Sequence, residues 1–106
     1  MLATLVFVII EFDGDVFRWD AREDSAWFFT SLPRELSAEI REIPRPYRGF
    51  GSVRVRAQIG GTEWTTSIFP SSDTGSYVLP LKKAVRDAEG LVDGGAVTVR
   101  LEVLDG

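Results

Sequence analysis

The chain contains no cysteine and no histidine. The first absence excludes a disulfide framework, a thiolate nucleophile and a thiolate zinc site. The second excludes Ser-His-Asp triads and imidazole metal ligands. There is no G-x-x-x-x-G-K-[ST] run to cradle phosphates. Long apolar runs are also lacking. The longest, Leu2 to Ile10, is broken only by Thr4 and falls far short of the ~20 residues that span a bilayer. No Lys or Arg precedes it, and Glu11, Asp13 and Asp15 follow it in place of a small-residue cleavage site. It reads as a buried strand, not a signal peptide, so the expected location is cytoplasmic, with no membrane association.

What is present describes an ordinary folded domain. The 106 residues are 44% hydrophobic and 26% charged, a balance typical of soluble globular chains. This length suits one domain, residues 1–106, with a core that needs no covalent staple. The formal charge is −4, which disfavours nonspecific binding to nucleic acid or anionic membrane. The charge is uneven: residues 11–24 hold six acids and two arginines, whereas residues 34–56 hold six arginines and three glutamates.

Periodicity divides the chain into short elements. Thr4 to Phe12 (TLVFVIIEF) is apolar on both faces, the pattern of a central strand covered on both sides. Asp13-Gly14-Asp15 is a turn or bulge signal, after which Val16, Phe17 and Trp19 resume a strand or pair back. Ala26 to Leu32 reads as another strand, with Trp27, Phe28 and Phe29 assigned to the core. Pro33 suits the first turn of a helix. Leu36, Ile40 and Ile43 give that helix one apolar face, and Pro44 and Pro46 end it.

The stretch from Ser52 to Phe69 is the most informative. Val53, Val55, Ala57 and Ile59 alternate with Arg54, Arg56 and Gln58, and Gly60-Gly61 is a two-residue hairpin turn. That turn pairs Ile59 with Thr62, Ala57 with Trp64, Val55 with Thr66, and Val53 with Ile68 on an inner face. It pairs Gln58 with Glu63, Arg56 with Thr65, and Arg54 with Ser67 on the outer one. Both strands agree on which side is inside, which pins the register. Ser76 to Leu79 is a short strand and Pro80 opens a second helix. Its apolar face is Leu81, Ala84, Val85, Ala88 and Leu91, with Gly90 as C-cap. Asp93-Gly94-Gly95 turns the chain into a last strand, Ala96 to Leu104, with Val97, Val99, Leu101 and Val103 inward. Arg100 lies on the outward set of that strand and extends the arginine patch if the strand is a neighbour.

The two halves echo each other: Phe29-Thr30-Ser31-Leu32-Pro33 and Ser76-Tyr77-Val78-Leu79-Pro80 each lead a strand into an amphipathic helix. The order is that of an all-β fold, a small duplicated barrel of about six or seven strands with two short capping helices near 33–43 and 80–90. Such halves can close within one chain, so a monomer is expected, with weak dimerisation through an edge strand.

A longer set of motifs carries a family resemblance. Gly49-Phe50-Gly51-Ser52-Val53-Arg54-Val55-Arg56-Ala57, Ile59-Gly60-Gly61-Thr62-Glu63-Trp64, Ser67-Ile68-Phe69-Pro70 and Tyr77-Val78-Leu79-Pro80-Leu81-Lys82 together resemble the bacterial family called domain of unknown function nineteen-oh-five. The resemblance implies a double-split β-barrel, a pseudobarrel related to the swapped-hairpin transition-state regulators, which bind DNA as dimers. Gly95 stands where those regulators usually carry an aspartate, and their basic arms contrast with this acidic chain. Shared fold does not carry function across. The family brings no established activity, cofactor or site.

Four constellations could carry chemistry. Arg48 to Val55 partly matches an RNA-recognition signature, but Ser52 and Val55 replace the aromatics that would stack on bases. Asp13, Asp15, Asp20, Glu23 and Asp24 are oxygen donors, yet their spacing fits no calcium loop. Lys82, Lys83 and Ser67 are the candidate amines and hydroxyl for catalysis, with no histidine as base. Arg54 and Arg56, with Thr65 and Ser67 across the ladder, form a patch able to hold a carboxylate or phosphate. The resulting expectation is a non-enzymatic binding or interaction module that uses no metal or cofactor. Its partner would be an anionic ligand or a protein, docking around Arg54, Arg56, Thr65 and Ser67. The alternative is a nucleic-acid-binding regulator by fold kinship, and a small hydrolase or isomerase ranks last.

Overall fold

The structure is a computed structural model that describes residues 8–22, 25–42, 51–72 and 74–104. Among the described residues seven strands form one antiparallel sheet: β1 (Val8–Asp15), β2 (Phe17–Arg22), β3 (Ser25–Ser31), β4 (Val53–Ile59), β5 (Thr62–Pro70), β6 (Tyr77–Pro80) and β7 (Ala96–Val103). The described residues also include the short helices α1 (Arg34–Arg41) and α2 (Lys83–Glu89), which interrupt them. The strand order is β1-β7-β4-β5-β6-β3-β2, and the sheet curls into a half-closed barrel around an apolar interior. The all-β barrel-like class expected from periodicity is the class observed.

The centre of the sheet follows the alternation directly. Every residue pair expected for the β4–β5 hairpin is present, from Val53 opposite Ile68 to Ile59 opposite Thr62. Gly60 takes φ 56° at the turn, a left-handed conformation open to glycine without steric cost. Val53, Val55, Ala57 and Ile68 are fully buried, as are Val99 and Leu101 of β7. Each of the valine, isoleucine and leucine side chains among them contributes roughly 1.5–3 kcal/mol by leaving water.

The first strand departs from expectation. Among the described residues β1 is an edge strand paired only with β7, and Ile9 is 47% exposed. Residues 4–7 lie outside the described residues. Nor does Asp13-Gly14-Asp15 turn; the strand runs through it, with Gly14 opposite Val97. The chain bends instead at Val16, whose N–H donates to Gly95 O at 2.8 Å while Gly94 N–H donates to Val16 O at 2.7 Å. Beyond the bend β2 joins β3 at the opposite edge. One continuous stretch thus supplies both edges of the curled sheet. The closure is tight: a Cβ on Gly14 would lie 2.4 Å from Thr30 Oγ1 on β3.

Thr30 is fully buried, and its hydroxyl has no hydrogen-bond partner among the described residues. A buried hydroxyl without a partner carries a desolvation cost that a methyl avoids. Thr30→Val is therefore expected to stabilise the fold by about 1 kcal/mol. Denaturant titration checks this; a lowered midpoint would mean the hydroxyl makes a needed contact.

The two Leu-Pro echoes meet in space. β3 and β6 pair antiparallel, Thr30 opposite Leu79, with Phe29 opposite Pro80 and Ser31 opposite Val78. Backbone bonds extend the pair at both ends, Leu32 N to Tyr77 O and Leu81 N to Phe28 O. This equivalence corrects the second helix. Pro80 ends β6 and does not open α2, which starts at Lys83. Leu81 and Val85 are buried, but Ala84 and Ala88 are exposed, so the apolar face is narrower than expected. Gly90 is the C-cap at φ 64°, and Leu91 N–H donates to Arg86 O. In α1 Ile40 is buried and Leu36 half-buried; Ile43, Pro44 and Pro46 lie outside the described residues. Ser37, also buried, accepts the Tyr77 N–H at 3.0 Å. No helix among the described residues is long and apolar enough to cross a membrane.

Candidate functional site

The outer face of the sheet carries every residue of the expected patch. Arg54 stands opposite Ser67 and Arg56 opposite Thr65 on neighbouring strands. The alternation that buries Val53, Val55 and Ala57 turns both arginines outward. β7 is the other neighbour of β4, so Arg56 also faces Glu102, and Gln58 faces Arg100. On the far side of β7, Ile9 stands beside Glu102 and Glu11 beside Arg100. Arg100 therefore does join the patch, one row away from Arg56.

Charge is balanced within this face. Arg56 Nη1 donates to Glu102 Oε1 at 2.8 Å, and Arg56 Nε lies 3.5 Å from Glu63 Oε1. Glu63 and Glu102 flank the guanidinium from the two adjacent strands. A shallow depression of about 210 Å³ opens here, lined by Ile9, Arg56, Gln58, Glu63, Arg100 and Glu102. Exposed ion pairs of this kind contribute little to stability, about 0–1 kcal/mol each. Their consequence is chemical: a bare anion approaching Arg56 has to displace carboxylates already in place. Thr65 is exposed and Ser67 half-buried on the same side.

The other half of the outer face is aromatic, and here the expectation of a buried cluster is corrected. Trp19 stands opposite Trp27 and Phe17 opposite Phe29. Trp19 and Trp27 are 59% and 54% exposed and Phe29 is half-buried, whereas Phe28 between them packs against the core as expected. Phe29 stacks between Phe17, at 5.8 Å between centroids, and Trp27, at 6.4 Å. An unbroken apolar run such as Ala26 to Phe29 does not reveal its outward face; the alternation Phe17-Arg18-Trp19-Asp20 next door was the available signal. Trp64, by contrast, points inward as its register requires.

The remaining constellations resolve as follows. Val53 and Val55 of the RNA-recognition-like run are fully buried and offer no surface to a base, while Arg48, Gly49 and Phe50 lie outside the described residues. Asp13 accepts a hydrogen bond from Thr98 Oγ1 at 2.7 Å. Glu23 and Asp24 lie outside the described residues, and nothing is described of the Asp20 side chain. Among the described residues no three acidic or metal-ligating groups converge. On α2, Lys83 Nζ donates to Asp87 Oδ2 at 2.6 Å. That hydrogen bond, and then the charges of Lys83 and Arg86, hold the Asp87 carboxyl below its usual range. A depressed carboxyl adds stability above its unfolded pKa and loses it as pH falls, but this exposed pair adds little at any pH.

No curated protein matches the chain. The family model described as Domain of unknown function (DUF1905) matches residues 12–101. That span runs from Phe12 of β1, through the hairpin that carries Arg54 and Arg56, to Leu101 of β7. The chain belongs to this DUF1905 family.

Proposed function

We propose that the chain is a non-enzymatic, cytoplasmic binding module. It acts as a monomer and engages a protein partner through the outer sheet face around Arg54, Arg56, Thr65 and Ser67. The observation that carries this reading is the arrangement of charge on that face. Arg56 sits between Glu63 and Glu102, with Arg100 one row away. Of the two occupants the arginines suggested, an anionic ligand or a protein, the second fits better. A protein segment presenting both signs can exchange with each existing ion pair, whereas a single anion meets two carboxylates. Electrostatic complementarity of this kind sets specificity and association rate.

The test is an NMR titration of the isotope-labelled chain with a peptide of alternating Glu and Lys and, separately, with oligo-glutamate. The alternating peptide is expected to shift the amides of Arg54, Arg56, Thr65 and Ser67 more than oligo-glutamate does. Replacing both Arg54 and Arg56 by Gln should leave the fold intact, because surface ion pairs contribute only about 0–1 kcal/mol. It should weaken the peptide at least tenfold, about 1.4 kcal/mol. Unchanged affinity in the double variant sinks the proposal, and so does tighter, strongly salt-dependent binding of single-stranded DNA to the same face. Sedimentation should show a monomer; an obligate dimer persisting at nanomolar concentration would contradict that part of it.

A further inference from the structure

A second surface lies where β6 runs into α2, away from the arginine patch. A groove of about 220 Å³ is lined there by Trp27, Phe28, Pro80, Leu81, Lys82, Lys83 and Arg86. Its floor is braced. Leu81 N–H donates to Phe28 O at 2.8 Å, and Arg86 Nε donates to Leu81 O at 3.0 Å. The Arg86 guanidinium carbon stands 4.0 Å from the centre of the Phe28 ring, close enough for a cation–π contact. Trp27 forms one wall, its indole nearly parallel to Phe29 at 10° and yet 54% exposed.

The charge around this groove differs from that of the outer face. Among the described residues the Lys82 ammonium makes no hydrogen bond or ion pair, and the Arg86 guanidinium donates only through Nε. Lys83 is shared with Asp87. Lys82, Lys83 and Arg86 thus outnumber Asp87 at one spot on a chain whose formal charge is −4. An exposed indole, a braced aromatic floor and excess positive charge converge within a space smaller than the ~300 Å³ at which drug-sized pockets begin. Long basic side chains do cover apolar surface with their stems, but that role leaves the ammonium in water and asks for no exposed tryptophan beside it.

We propose that this groove binds a small planar aromatic molecule carrying one anionic group, the ring against Trp27 and the carboxylate or phosphate between Lys82 and Arg86. Stacking on an exposed aromatic tolerates many ring types, while the charge selects against neutral ones. The site shares no residue with the outer-face reading and goes beyond it.

The experiment is an NMR titration of the labelled chain at neutral pH. Anthranilate and adenosine monophosphate serve as aromatic anions, aniline and adenosine as their neutral counterparts, and acetate and inorganic phosphate as anions without a ring. At least one aromatic anion is expected to saturate, shifting the Trp27 indole N–H and the amides from Leu81 to Arg86. Its neutral and ringless counterparts should bind at least tenfold more weakly. The better of the two aromatic anions tells whether carboxylate or phosphate is preferred. Lys82→Gln, an exposed change, should weaken that ligand at least tenfold and leave the thermal midpoint unmoved. Equal binding of the neutral counterpart, no saturation by either anion, or unchanged affinity in the Lys82→Gln variant would each overturn the proposal. A single-stranded oligonucleotide that covers the groove far more tightly than the mononucleotide would overturn it in favour of nucleic acid.

Discussion

Trp64→Ala is expected to destabilise the fold by about 3–5 kcal/mol, the range for truncating a large aromatic in a core. Trp64 lies on β5 directly opposite Ala57. The indole is 9% exposed and Ala57 not at all. The small residue leaves room that the large one fills, and an alanine cannot fill the space once it is emptied. A loss of that size is a large part of the ~5–15 kcal/mol that holds a typical domain together. Urea denaturation of wild type and variant measures it. A loss below about 1 kcal/mol would show that the indole is not seated in the interior, since a single residue of register slip would turn it to solvent.

Gly14→Val should cost about 3 kcal/mol, the upper part of the usual range for overfilling a packed site. The position is not a turn, so the demand is for space and not for backbone freedom. A Cβ there would lie 2.4 Å from Thr30 Oγ1, 3.5 Å from Ser31 O and 3.7 Å from Phe12 Cε2. β1 and β3 are not neighbours in the sheet order; they approach only because the sheet curls. Relief would require Thr30 to move, but Thr30 is fully buried and its strand is pinned to both β2 and β6. Combining Gly14→Val with Thr30→Ala should recover part of the loss, because residues in direct contact are energetically coupled. Full additivity in the same denaturation assay would show that the close approach is not the constraint.

The two substitutions fall on opposite sides of what the chain makes legible. The position of Trp64 follows from counting outward from Gly60-Gly61, since a two-residue turn and a period of two leave one arrangement that keeps both apolar faces together. The demand at Gly14 could not be read in this way. Asp13-Gly14-Asp15 has the composition of a turn, and only the approach of a strand sixteen residues further along the chain makes it a closure point. Pro80 shows the same limit. Local preference puts a proline at the start of a helix, but the pairing of Phe29 with Pro80 uses it as the end of a strand, where the next donor to β3 is Leu81.

The candidate site divides likewise. That Arg54 and Arg56 share a face with Thr65 and Ser67 is a property of one hairpin. That Arg56 is held by Glu102, forty-six residues away, depends on β7 lying beside β4. The groove at Trp27, Lys82 and Arg86 depends on β3 lying beside β6. The sequence by itself determined the local geometry: which residues alternate, where the hairpin reverses, which strand ends lead into helices and where the second helix is capped. Those are set by neighbours a few bonds apart, through backbone sterics and side-chain period. Only the tertiary structure decided the strand order, the double use of residues 8–22 as both sheet edges, and the side to which Trp19 and Trp27 turn. Those follow from how whole apolar faces fit together when the sheet curls, and no short window of sequence contains both faces of that fit.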